Sequence, residues 1–189
     1  MTSCLADAVN SMLTAIGEIP YSWGSAATDR SRPTKLFQLV RMWNDQVSRE
    51  LNGTGYTFEK PACFLEIRNR ENEMFLQGVN TANYVWRFHI IDAELDAGDE
   101  VNMDQNLTVI HFRDAVKQAL CGFQPPNCST LFPVNEEADY QHTDLYHYIL
   151  DLKSLFTDTK GSPLDPDQTT VTFYTPPPNL GLELDVTIG

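Results

Sequence analysis

Residues 84–95 constrain the fold of this chain more than any other stretch. Tyr84, Trp86, Phe88 and Ile90 alternate with Val85, Arg87, His89 and Ile91, and a period of two places the first set on one face of a strand and the second on the other. The first face is wholly apolar and must be buried, whereas the reverse face is mixed. Such a strand needs partners. From Pro61 the same period recurs, with Cys63, Leu65 and Ile67 on one side and Phe64, Glu66 and Arg68 on the other. A polar break at 69–72 follows, and a short apolar piece, Met74 to Leu76, leads to Gly78. A second pair is expected from a strand near Thr130–Asn135 and a longer one near Leu145–Phe156, with Tyr146, Tyr148, Leu150 and Leu152 on one side.

Helical spacing appears three times. Leu5, Val9, Met12, Leu13 and Ile16 form one stripe, stopped by Gly17 and Pro20. Leu36, Leu39, Val40, Trp43, Val47 and Leu51 form a second stripe after Pro33, a residue suited to a first helical turn, and Asn52-Gly53 ends it. The third runs from about Gln105 with Asp104 as N-cap, turns Leu107, Ile110, Phe112, Val116, Ala119 and Leu120 inward, and ends at Gly122. No regular strand–helix–strand alternation appears, so the expected fold class is α+β, a mostly antiparallel sheet with helices packed on one face. The expected organisation is one domain over residues 1–157. Residues 158–189 form a Pro-rich extended C-terminal tail, with strand patterns at Thr169–Tyr174 and Leu182–Ile188 that suit pairing with a sheet edge, in a neighbouring subunit for example. The sheet face bearing Arg87, His89, His147 and Asp151 is expected to be exposed, as a partner surface.

Charge narrows the function. The chain has 13 Lys and Arg against 26 Asp and Glu, a net charge of −13, which disfavours binding to nucleic-acid phosphate and to anionic membranes. No uncharged apolar run approaches the ~20 residues of a membrane span, and the N-terminus lacks the features of a secretory signal, so a soluble intracellular protein is expected. Cys4, Cys63, Cys121 and Cys128 read as reduced thiols.

The search for chemistry assigns no catalytic, cofactor or metal residue. Cys121 and Cys128 are too far apart for a zinc knuckle, and His142 with His147 supplies only half of one. Asp92, Glu94 and Asp96 begin like a calcium loop that Ala97 and Met103 then break. On one helix Cys121 stands about 15 Å along the axis from His111, out of reach of it and of Asp114. Glu136-Glu137 reads as a solvated loop, and Trp86, Phe88, Tyr146 and Tyr148 as core without a basic groove to make them a base-stacking platform. The charges are unevenly placed. Arg30, Arg32, Lys35 and Arg41 have only Asp29 near them in sequence, while residues 136–189 are strongly acidic, Asp165 and Asp167 among them. That polarity suits head-to-tail contact between identical subunits. The expected interface comprises these residues with Phe173, Tyr174, Leu182 and Leu184 of the tail, and the acidic run Asp92, Glu94, Asp96, Asp99 and Glu100 would line a lumen.

Several segments together resemble a known group. These are Cys63-Phe64-Leu65-Glu66, the strand Tyr84–Ile91, the helix ending Ala119-Leu120-Cys121-Gly122, the turn Pro125-Pro126-Asn127-Cys128, Glu137-Ala138-Asp139, and Leu145–Leu152. Over residues 35 to 157 the chain resembles, in element order and sequence texture, the tail-terminator and tail-completion (neck) proteins of tailed bacteriophages. The resemblance implies a small α+β subunit, without catalysis, that forms a ring in the virion, most often a hexamer and in some collars a dodecamer. It also implies assembly in the host cytoplasm, neighbours in the tail tube and on the connector or portal side, and DNA that passes through without specific binding. A monomeric α+β domain that binds or turns over a small ligand in the cleft between sheet and helices is the alternative, as is an acidic adaptor for a basic partner.

Overall fold

In the computed structural model of this chain, residues 3–21, 34–47, 57–76, 79–93, 108–139 and 145–159 are described. They form two helices, α1 (Cys4–Gly17) and α2 (Thr108–Leu120), and five strands, β1 (Leu39–Met42), β2 (Ala62–Leu76), β3 (Val79–Ala93), β4 (Phe132–Asp139) and β5 (Leu145–Asp158). The strands make one sheet in the order β1-β2-β3-β5-β4. Only β1 and β2 are parallel, and every other pair is antiparallel. The fold is α+β, as the pattern of elements predicts.

The alternation on β3 sets the two layers. Trp86, Phe88 and Ile90 are fully buried against α1 and α2, with Cys63 and Leu65 of β2 and Leu150 and Leu152 of β5 on the same side. The helices present Cys4, Ala8, Met12 and Ile16, and Phe112, Val116 and Leu120. Trp86 brings a polar atom into this layer, and its Nε1–H donates to Ser154 Oγ at 2.8 Å. Ser3 caps α1, its Oγ accepting from the Ala6 N–H, one of the donors a first turn leaves free. Gly122, at φ +83°, ends α2 in a left-handed conformation that costs glycine nothing. All four cysteines are free thiols.

Four expectations are corrected. The stretch 34–47 is not a helix. Leu39 to Met42 form β1, and Asp45 takes a positive φ, with helical backbone only at Gln46 and Val47, where description stops. The helical spacing was a coincidence of two destinations: Leu36 and Phe37 pack on the helix side, and Leu39, Trp43 and Val47 on the opposite side. Pairing with β2 then outweighed local periodicity. The polar break at 69–72 does not end a strand, because β2 absorbs it as irregularities between Ile67 and Asn69 and between Glu71 and Met74. Ile110 is 38% exposed instead of inward. Glu136 and Glu137 lie within β4, which extends to Asp139, and not in a loop. Leu51, Asp104, Leu107 and the tail lie outside the described residues.

Candidate functional site

The second face of the sheet, away from the helices, divides into a covered half and a bare half. Over the covered half, Trp43, Val47 and Phe58 lie on Phe64, Ile91 and Leu145. Trp43 and Phe58 both meet the Phe64 ring edge-on. Beneath Trp43 is a polar cluster assembled by strand register. Arg87 faces Asp151 directly across β3 and β5, His147 faces Asp139 across β5 and β4, and His89 is diagonal to both Glu66 and His147.

The cluster is closely bonded. Arg87 donates from Nε and Nη2 to the two carboxylate oxygens of Asp151 at 2.7 and 2.8 Å, and a second carboxylate, Glu137, lies 3.7 Å away. The hydrogen bond to Asp151 raises the Arg87 pKa further, although burial opposes it. Glu66, His89, His147 and Asp139 form a continuous chain with separations of 3.0, 2.9 and 3.0 Å. The Trp43 ring is stacked on His89 at 3.8 Å, within 8° of parallel. His89 is 4% and His147 6% exposed. Burial first, then the neighbouring His147 and Arg87, push the His89 pKa down to about 3.

This corrects the expectation of an exposed partner surface. The alternation correctly put Arg87, His89, His147 and Asp151 on one face. It does not reveal the cover, because the spacing around Trp43 reads as helical while the structure places Trp43 directly after β1. Glu66 and Asp139, which the sequence reading places only in strand patterns and in the resemblance, complete the chain of hydrogen bonds. The one signal the sequence offers is the polar character of that face; the pairing of Arg87, His89 and His147 with carboxylates depends on strand register.

The bare half begins at the next layer. Lys153 bridges to Glu71 at 3.0 Å, and beyond it Met74, Phe132 and Leu155 are 59%, 50% and 44% exposed. They share one face through the pairs Met74–Thr81, Thr81–Thr157 and Phe132–Lys153. Val134, at the irregularity of β4, is 47% exposed on the sheet's outermost strand. On the helix side a small pocket of about 210 Å³ lies between Leu5 of α1 and Ala82, Tyr84 and Phe156 of the sheet. An open groove of about 560 Å³ lies between α1 and α2, floored by Ala15, Ile19 and Ala115 and rimmed by Glu18 and Asp114.

Among the expected interface residues, Lys35 pairs with Glu18 at the end of α1, at 2.7 Å and exposed; Asp29 lies outside the described residues. Arg41 is exposed on β1. Arg30, Arg32, Asp165, Asp167, Phe173, Tyr174, Leu182 and Leu184 lie outside the described residues. Of the acidic run, Asp92 sits on β3 opposite Tyr146, and Glu94, Asp96, Asp99 and Glu100 lie outside. Glu136 is held by Arg113 and Lys117 of α2 and by the Tyr148 hydroxyl; burial opposes its ionisation, but the two cations keep its carboxyl below the usual range. No family model matches the chain, and no curated protein does.

Proposed function

We propose that this chain is a structural subunit that assembles with copies of itself into a closed ring, at the head–tail junction or tail end of a tailed bacteriophage. The observation that carries the assembly reading is the bare half-sheet. Met74, Phe132 and Leu155 are exposed on one face of the sheet, spread over β2, β4 and β5, with Val134 exposed on β4, and several large exposed apolar side chains on one face suit protein–protein contact. The outer edge of β4, the last strand of the sheet, is also a template for pairing. The charged side chains of the second face bond to one another, which suits a scaffold. The phage setting rests on the resemblance, and the charge of −13 would let DNA pass a lumen without adhering.

The contact that builds such a ring is heterologous, one patch against a different patch on the next copy. The tail tube and a connector-side protein would then take its two rims. Light scattering on the full chain, alone and with purified tails, tests this reading. The expected mass is a closed multiple of the 21.4 kDa subunit, six most simply. Met74→Glu with Leu155→Glu, which place charge on an already solvated face, should return it to one copy without lowering the unfolding temperature appreciably. A wild-type chain that stays single and ignores tails would contradict the proposal. The groove between α1 and α2 favours a second reading, a small-ligand binder. A ligand whose thermal stabilisation disappears in Ala115→Trp would support it.

A further inference from the structure

Glu66, His89, His147 and Asp139 are joined by three hydrogen bonds in series: Glu66 Oε2 with His89 Nε2, His89 Nδ1 with His147 Nε2, and His147 Nδ1 with Asp139 Oδ2. Each bond needs one proton between its heavy atoms. Two neutral imidazoles bring two protons and two ionised carboxylates bring none. With only two protons, one contact sets lone pair against lone pair in a buried place, where water cannot relieve it. With both imidazoles doubly protonated, the central contact sets N–H against N–H. Three protons satisfy all three bonds.

We propose that these four groups form a proton-linked latch: it closes holding one proton more than two neutral imidazoles carry, and it clamps the Trp43 ring on the sheet only while that proton is retained. The clamp acts on the indole through its stack on His89, while the Trp43 backbone N–H stays bonded to the Leu65 carbonyl; releasing the ring would uncover the Phe64 edge it meets. The charges around the pair are mixed. Arg68 of β2 and Arg87 of β3 oppose further protonation, Asp151 of β5 favours it, Glu137 of β4 lies against Arg87, and Arg41 of β1 is exposed beside Phe64 in the register. Burial keeps His89 from taking a second proton until about pH 3, so the extra proton of the closed latch sits on His147 or a carboxylate, where the hydrogen-bond geometry calls for it.

The sign of the pH dependence follows. In the open or unfolded chain each imidazole titrates near its ordinary value of about 6.5. Above that pH the open form holds fewer protons than the closed one, so each unit of rising pH favours opening about tenfold. Below it the open form protonates both imidazoles, and closing must expel a proton. Opening is then favoured about tenfold for each unit of falling pH, until the carboxylates titrate. Closure is tightest near pH ~6.5, where the open form carries on average the one extra proton that closure needs.

An amide in place of either terminal carboxylate removes the need for the third proton. In Asp139→Asn an amide N–H can donate to His147 Nδ1. In Glu66→Gln it can donate to His89 Nε2, with the direction of the whole chain reversed. Either way two neutral imidazoles suffice. Denaturant unfolding of the full chain between pH 5.5 and 8.5 is therefore the test, since the thiols that also titrate there are shared by wild type and variants. Above pH 7 the wild-type unfolding constant should rise about tenfold per pH unit more steeply than that of either variant. Equal slopes would overturn the latch. If the variants do not fold, imidazole ¹⁵N and carboxyl ¹³C shifts of the wild-type protein at pH 7.5 decide the matter: three protons on the four groups are expected, and two would overturn it.

Discussion

Arg87 and Asp151 show what holds the polar side of the sheet together. The guanidinium is 15% exposed, the carboxylate 7%, and both oxygens of Asp151 are used. Arg87→Met removes the cation and leaves a buried carboxylate uncompensated, so a loss of about 3–5 kcal/mol is expected in denaturant unfolding. Adding Asp151→Leu should recover much of that loss, because the second substitution removes the orphaned charge. On the helix side, Ser154→Ala strands the Trp86 N–H in the core and should cost about 1–3 kcal/mol, with a changed tryptophan emission. At this scale the sequence was legible where period two decided a side chain's face, as for Arg87, His89, His147 and Asp151. It was illegible where a hydrogen bond depends on strand register. Nothing local says that His147 will stand opposite Asp139 and not opposite Glu137.

Among the elements, α1, β3 and β5 could be read because their periodicity is long and internally consistent. The four residues of β1 could not. A strand that short carries less signal than the helical spacing of its neighbours, and only its parallel pairing with β2 makes it a strand. β2 was legible in part, since its irregularities interrupt the alternation that identifies a strand. The two described glycines near helix ends separate backbone conformation from space. Neither has a heavy atom within 4 Å of an added Cβ, but Gly122 alone has a positive φ. Gly17→Ala is therefore expected to stabilise the fold by about 0.5–1 kcal/mol, and Gly122→Ala to destabilise it by about 1 kcal/mol or more. Thermal unfolding of the pair checks this, and a matching gain in both would show that left-handed backbone is not what Gly122 supplies.

The described residues join an apolar layer beneath two helices to a second face that is half covered and half exposed. The closed half is where sequence reasoning placed a partner surface, and the bare half, with Met74, Phe132 and Leu155, is where the exposure lies. Imidazole and charge suggest solvent until topology shows that Trp43 covers them. Beyond Thr159 the chain continues for 30 residues. Truncation after Lys160 should leave the unfolding temperature of the single copy nearly unchanged and weaken self-association, as sedimentation would show; a large loss of stability would instead assign those residues to the subunit's own core. Electron microscopy of the purified protein with phage tails tests the central claim most directly. Closed rings with an open centre seated at the end of the tail are expected, and bare tails beside isolated single subunits would overturn the ring proposal.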